Sequence, residues 1–219
     1  MTGERRQSGA GRKSKGRGKS SYEPVWIAGV DEAGRGPIAG PVVAACVVLP
    51  RKCSIPGVAD SKQLSAVQRE RLFVQIQREA VAWAIGVASP REIERLNILQ
   101  ASLLAMRRAV LSLSLTPQRV LIDGKFCIPQ LNLPQQAIVD GDAQELCIAA
   151  ASILAKVARD RIMAELDRLY PQYGFAQHKG YPTPLHLERL QQYGACPAHR
   201  RTYAPVAQLK LLTARAEVE

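Results

Sequence analysis

The order of apolar runs predicts an α/β domain in which a mixed central β-sheet is flanked by helices and followed by a helical C-terminal region. Three observations predict it. Runs with strand character lie at residues 25–31, 41–49 and 81–88, and again at 120–123 and 137–140. Two capping patterns, Ser65 to Gln68 and Ser89 to Glu92, each place a side-chain acceptor at a helix start with a Gln or Glu three residues on. From about residue 142 to 170, apolar residues recur at helical spacing. Three strands, then alternating helices and strands, then helices, describe a mixed sheet covered by helices.

The first two runs flank Gly34-Arg35-Gly36 and should pair as antiparallel neighbours. Ser65 opens a helix to about residue 79. After the third strand, Pro90 at N1 and Glu92 at N3 open a short helix, and Asn97 begins a longer one that stops before Thr116-Pro117. Val120 to Asp123 is a strand ending in an acid, and Ala137 to Asp140 is another short strand. Asp142 then begins the long helix. Ile148, Ala151, Leu154, Ala155, Ala158, Ile162 and Leu166 form its apolar face, and Ala149 to Ala151 permit close packing on a sheet. Thr183-Pro184 caps a helix to about Tyr193, and residues 204–217 form a last one. The expected division is a disordered basic tail over 1–24, one domain over 25–206, and a C-terminal helix and tail over 207–219. No internal repeat is visible.

A chain of 219 residues, 47% hydrophobic and 22% charged, suits one sizeable core. Its net charge of +11 makes a polyanionic partner plausible, nucleic acid before membrane, because no basic amphipathic membrane helix stands out. Part of the charge lies in residues 1–24, where Arg5, Arg6, Arg12, Lys13, Lys15, Arg17 and Lys19 sit among Gly and Ser. Such a tail can hold phosphates without sequence preference, or be a dispensable extension. It has no hydrophobic stretch of the secretory kind. Cys46, Cys53, Cys127, Cys147 and Cys196 are scattered and odd in number, which suggests reduced thiols in a cytoplasmic protein. His178, His186 and His199 lack zinc spacing with them. The longest apolar run, Ile38 to Leu49, is broken by Gly40 and Pro41 and is too short to span a membrane. The chain is expected to be a monomer.

The most informative stretch is Ile27 to Pro37, where an apolar strand runs into Asp31-Glu32 and then Gly34-Arg35-Gly36. Adjacent acids on a strand point to opposite faces unless the backbone bends or one binds through a water or a long side chain. Two carboxylates at the edge of a core repel each other and are costly to desolvate, and a divalent cation removes both penalties. The glycines let the backbone approach a ligand while Arg35 or the peptide N–H groups face it. Asp123 and Asp142 also follow predicted strands, so a sheet can bring them to Asp31 and Glu32. Taken singly, each has a plainer reading. Asp31-Glu32 suits an exposed turn, Asp123-Gly124 a turn, Asp142 a helix N-cap, and Tyr181 a half-buried core ring.

Gly29 to Pro37 resembles the signature of ribonuclease HII, the type 2 family of ribonucleases H. Later blocks resemble that family in order: Asp60-Ser61-Lys62-Gln63-Leu64-Ser65, Leu121-Ile122-Asp123-Gly124, Gly141-Asp142, Ala150 to Val157, and His178-Lys179-Gly180-Tyr181. The similarity runs from about residue 25 to about 206. It implies a ribonuclease H-like sheet and a metal-dependent endonuclease for RNA–DNA hybrids and for duplex DNA containing ribonucleotides, cut on the 5′ side of the ribonucleotide. Asp31, Glu32, Asp123 and Asp142 become catalytic ligands for Mn2+ or Mg2+, a choice that oxygen-only donors also favour. Gly34, Arg35 and Gly36 become the turn that senses the 2′-hydroxyl, and Tyr181 the ring that packs on the neighbouring sugar. Lys62 and Lys156 are plausible phosphate contacts, Lys156 lying on one helix face with Ser152. His178 reads as structural, with a role near metal or water as the alternative. His199-Arg200-Arg201 adds basic charge facing either the duplex or solvent.

Two other classes fit part of this pattern. A junction resolvase or integrase-like nuclease shares the acid cluster and lacks the Gly-Arg-Gly turn and the Tyr181 block. A non-catalytic nucleic-acid binder explains the basic charge but leaves four acids without purpose, since acids repel phosphates unless metal intervenes.

Overall fold

Two capping boxes set the helix starts seen in the structure, a computed structural model that describes residues 25–58 and 64–209. Ser65 accepts from the Gln68 N–H, and the Gln68 side chain accepts in return from the Ser65 N–H, at the head of α1 (Ala66–Glu79). Ser89 and Glu92 do the same at α2 (Pro90–Leu96). Asn97, with φ 70°, closes α2 and caps α3 (Ile98–Leu111) through a bond from the Gln100 N–H. The remaining helices are α4 (Leu146–Leu169), a single turn α5 (Phe175–His178) and α6 (Pro184–Tyr193), which Thr183 caps. Residues 204–209 are helical as well. The expected continuation to 217, the basic tail, and Lys62 lie outside the described residues.

The strands are β1 (Ile27–Ala33), β2 (Val42–Val48), β3 (Ala82–Ala88), β4 (Arg119–Asp123) and β5 (Gln135–Ile138). They form one mixed sheet in the order β3-β2-β1-β4-β5. The first three pair antiparallel, while β1–β4 and β4–β5 are parallel. Strand alternation divides the core in two. Ala28, Val30, Ala44, Cys46, Val48, Val120 and Ile122 meet Ala105, Met106 and Ala109 of α3 on one face. Ala45 and Val47 meet Leu72 and Ile76 of α1 and Ala150, Ala151 and Leu154 of α4 on the other.

Two sequence expectations shift. The fifth strand lies two residues earlier than the apolar pattern places it, and Asp140 sits beyond it in a left-handed conformation. Asp142 does not begin the long helix. It occupies a short 3-10 turn, Gly141–Ala143, and α4 starts only at Leu146. The turn interrupts the helix because the backbone at Gly141 is tied to Asp123, whose Oδ1 accepts the Gly141 N–H at 2.8 Å.

His178, His186 and His199, far from zinc spacing in sequence, come together beneath α5 and α6. His178 stacks on His186 with ring centroids 4.2 Å apart, and the Nε2 atoms of His186 and His199 lie 3.1 Å from each other. Their tautomers follow from the neighbours. His186 Nδ1 donates to the Tyr181 carbonyl, so its Nε2 must accept; His199 Nδ1 accepts the Cys196 N–H, so its Nε2 carries the proton. Burial holds both rings well below the usual histidine range, at about 4. Since the unfolded rings titrate near 6.5, the stability from neutral burial is complete above that pH and is lost as pH falls toward 4. The pair alone should therefore contribute a loss on the order of 2 kcal/mol or more between about pH 7 and pH 5, against an opposite trend from Asp31 and Glu32, whose carboxyls burial raises. Ring NMR signals are the deciding measurement: either ring found charged at about pH 5.5 in the folded protein would contradict the neutral pair.

Candidate active site

β1 carries both acids into the site, because it extends through them to Ala33 rather than ending before them. Asp31 and Glu32 face Ala45 and Ala44 across the β1–β2 pair, small residues that leave room beside a carboxylate. Asp31 lies on the α4 face and is only 6% exposed. It accepts the Glu32 N–H at 2.6 Å and is bonded to the Ser152 side chain on α4. Burial, and then the charge of Glu32, push its carboxyl well above the usual carboxylate range, against the lowering effect of Ser152. Glu32 is raised by burial too, while Arg35 lowers it and Asp123 raises it.

Parallel pairing brings in Asp123. The β1–β4 register matches Val30 with Ile122, so the next step places Asp31 beside Asp123, the last residue of β4. Gly141 then draws Asp142 alongside. A Cβ at Gly141 would stand 2.7 Å from Ile148 Cδ1, 3.3 Å from Ile138 Cβ and 3.4 Å from Asp123 Oδ1, so a side chain there would crowd the turn against its neighbours. Asp142 is buried, at 9% exposure.

A cavity of about 310 Å3 opens over this corner. Glu32, Gly34, Asp142, Ser152, Lys156 and Tyr181 line it, with Ala33, Arg69, Ile153 and Arg159. Ser152 and Lys156 thus share the face that their spacing predicts. Lys156 pairs with Asp160 one turn on, Nζ to Oδ1 2.7 Å. Tyr181 is not a core ring: it is 46% exposed, and its Cε1 lies 3.5 Å from where a Cβ on Gly36 would stand.

The donor set is all oxygen, and it contains one atom that asks for a partner. Arg35 Nη1 reaches Glu32 Oε1 at 3.1 Å, but Glu32 Oε2 is buried and has no hydrogen-bond partner. A buried carboxylate oxygen so placed, beside acids whose ionised forms are already penalised, fits a divalent cation. Asp31, Glu32 and Asp123 each have a local donor, in the Glu32 N–H, Arg35 and the Gly141 N–H. Among the described residues, however, no group of three or more His, Cys, Asp or Glu side chains stands close enough together to hold an ion.

Residues 28–206 match the family described as Ribonuclease HII. The chain belongs to the ribonuclease HII family. Over 182 residues it is 57% identical to ribonuclease HII of Desulfitobacterium hafniense, covering 83% of this chain and 70% of that one. Against ribonuclease HII of Polynucleobacter asymbioticus it is 54% identical over 189 residues, 84% of this chain and 96% of the other. Among solved structures, ribonuclease H2 of Pyrococcus horikoshii superposes with a TM-score of 0.75 at 31% identity, over 87% of this chain and all (100%) of that one. As a ribonuclease HII family member the protein is a nuclease of the ribonuclease H type.

Of this ribonuclease HII site, Arg159 escapes a reading of the sequence, Ser152 reads there only as sharing a helix face with Lys156, and His199, Arg200 and Gly34 sit differently from expectation. Ser152 anchors Asp31. Arg159, on α4, is fully buried and donates to the carbonyls of Pro41, Ala39 and Lys179. Its position four residues after Ala155 and four before Met163, both buried, was the available signal. Burial and the nearby Arg200 lower its guanidinium to about 10. His199 and Arg200 face neither duplex nor solvent, being 1% and 0% exposed; of the three basic residues there, Arg201 alone is exposed. Gly34 also differs from expectation. A Cβ on it would strike Arg159 Nε at 2.0 Å, and its φ is +98°, so the interior alone already demands glycine there.

Proposed function

We propose that the protein hydrolyses the RNA strand of RNA–DNA hybrids and cuts duplex DNA on the 5′ side of an embedded ribonucleotide, leaving 5′-phosphate and 3′-hydroxyl ends. One observation carries the reading: Gly34 of the turn and the exposed Tyr181 ring line the same cavity as Glu32 and Asp142, and Gly36 lies against that ring. A sugar read by that turn has its phosphate beside the acids. Water is the nucleophile, and the 2′-hydroxyl is recognised without attacking.

Asp31, Glu32, Asp123 and Asp142 are the residues that would hold Mn2+ or Mg2+. A divalent ion there supplies Lewis-acid stabilisation of the reacting phosphate and makes water acidic enough to act near neutral pH. The chain's own residues do the positioning. Ser152 fixes the Asp31 carboxylate, the Gly141 N–H fixes that of Asp123, and Arg35 orients Glu32. Lys156, held by Asp160, offers its charge to a phosphate along the cavity wall. Gly36 and Tyr181 form a slot for one ribose, where the 2′-hydroxyl distinguishes RNA from DNA. The duplex is the partner, and the net charge of +11 favours its approach.

The test is a duplex with a single ribonucleotide beside an all-DNA duplex, each with and without divalent metal, with the cut mapped. Cleavage 5′ to the ribonucleotide, only with metal, is expected. Equal cutting of both duplexes would refute the substrate assignment.

A further inference from the structure

We infer that Arg200, with Tyr203, is a positioning residue for sugar recognition: it holds the Gly34 and Arg35 carbonyls inward so that the next two peptide N–H groups face the substrate. This rests on the reading above that the Gly34–Gly36 turn contacts the 2′-hydroxyl.

Arg200 is fully buried, yet none of its hydrogen-bond partners is a carboxylate. Its Nε donates to the Gly40 carbonyl at 2.9 Å. Nη1 donates to the Arg35 carbonyl at 2.9 Å and to the Tyr203 hydroxyl at 3.1 Å. Nη2 donates to the Gly34 carbonyl at 2.6 Å and to that of Pro41 at 3.2 Å. A guanidinium has five N–H groups, and each has its own bond here. Burying a charge among dipoles alone is costly, and a lysine with three donors could not make this set. The Tyr203 hydroxyl adds a second donor to the Arg35 carbonyl, at 2.9 Å.

What this does to the turn follows from peptide planarity. The described residues contain no cis peptide, and across a trans peptide the C=O of one residue and the N–H of the next point in opposite directions. The Gly34 and Arg35 carbonyls aim at a side chain in the interior. The Arg35 and Gly36 N–H groups therefore aim away from it, toward the side where both residues are exposed and Tyr181 stands. Successive outward N–H groups make a small concavity for an oxygen acceptor. The clamp is itself anchored, since the Arg200 N–H donates to the Ile38 carbonyl at 2.8 Å and Gly40 donates to that of Ala198 at 2.8 Å. The C-terminal segment is thus the back wall of the sugar-reading turn, which is why an arginine remote in sequence bears on specificity.

The experiment compares Tyr203→Phe and Arg200→Lys with the wild type. Single-turnover cleavage is measured on two duplexes that differ only at the cut residue, one with a 2′-hydroxyl and one with a 2′-fluoro group, which is a far weaker acceptor. Loss of one orienting bond should lower the hydroxyl-to-fluoro rate ratio about fivefold in Tyr203→Phe, and loss of the fork about tenfold or more in Arg200→Lys. Thermal melting establishes which variants fold, and Tyr203→Phe decides alone if Arg200→Lys does not. A ratio kept at the wild-type value, whether both rates stay or both fall together, overturns the inference while leaving the substrate reading intact. Wild-type protein that cleaves the two duplexes equally overturns the substrate reading itself, and this inference with it.

Discussion

Asp31→Asn is expected to lower cleavage of a ribonucleotide-containing duplex by about a thousandfold or more, and to raise stability at the same time. The two effects have one cause. Burial, and then the charge of Glu32, make the ionised Asp31 carboxyl costly, which is why its proton is bound well above the usual carboxylate range. Asparagine keeps the shape, so its Oδ1 can still accept the Glu32 N–H, and its amide can reach Ser152. It removes the charge that folding penalises. The gain should be on the order of 1 kcal/mol, or ~2–4 °C in melting temperature for a domain of this size, measured in metal-free buffer. The loss of cleavage follows because a neutral amide cannot balance a cation at the corner where β1, β4 and the Asp142 turn meet. Residual turnover near the wild-type level in the folded variant would remove Asp31 from the mechanism. A melting temperature that falls would show that its charge supports the fold instead of straining it.

Local chemistry made much of this molecule legible before any coordinates. Ser65 with Gln68 and Ser89 with Glu92 mark helix starts to the residue, because a capping box is decided by four consecutive residues and little else. β1 and its antiparallel partner were readable for the same reason, as apolar runs around an obligatory turn. What failed depended on partners remote in sequence. Asp142 looks like a helix N-cap until Asp123 Oδ1 takes the Gly141 N–H and bends the chain into a separate turn. Arg200 looks like surface charge because nothing nearby in sequence announces five acceptors, four of them carbonyls of Gly34, Arg35, Gly40 and Pro41. Tyr181 looks like a core ring, and only the packing of His178 and His186 behind its backbone leaves the ring itself outside. The candidate acids were legible as residue types, whereas the backing that orients them and the turn was not.

Gly29→Ala should be the most damaging single methyl near the site, costing about 3 kcal/mol or more in urea unfolding. A Cβ there would lie 2.3 Å from the Cys147 carbonyl carbon, 2.4 Å from the Ile148 nitrogen and 2.6 Å from the Cys147 oxygen, all backbone atoms of the first turn of α4. Backbone cannot rotate aside as a side chain can, so α4 must lift from β1. The lift carries Ser152 away from Asp31 and Lys156 away from the cavity wall, so cleavage by the folded fraction should drop as well. Gly194→Ala separates this from the ordinary cost of replacing a glycine. Gly194 has φ +71° and nothing within 4 Å of the added Cβ, so strain alone operates there, at about 1 kcal/mol and without effect on cleavage. If the two variants lost equal stability, close contact between α4 and β1 would not be what holds the acids in register. If Gly29→Ala lost stability but kept full cleavage in its folded fraction, Ser152 would not be what positions Asp31.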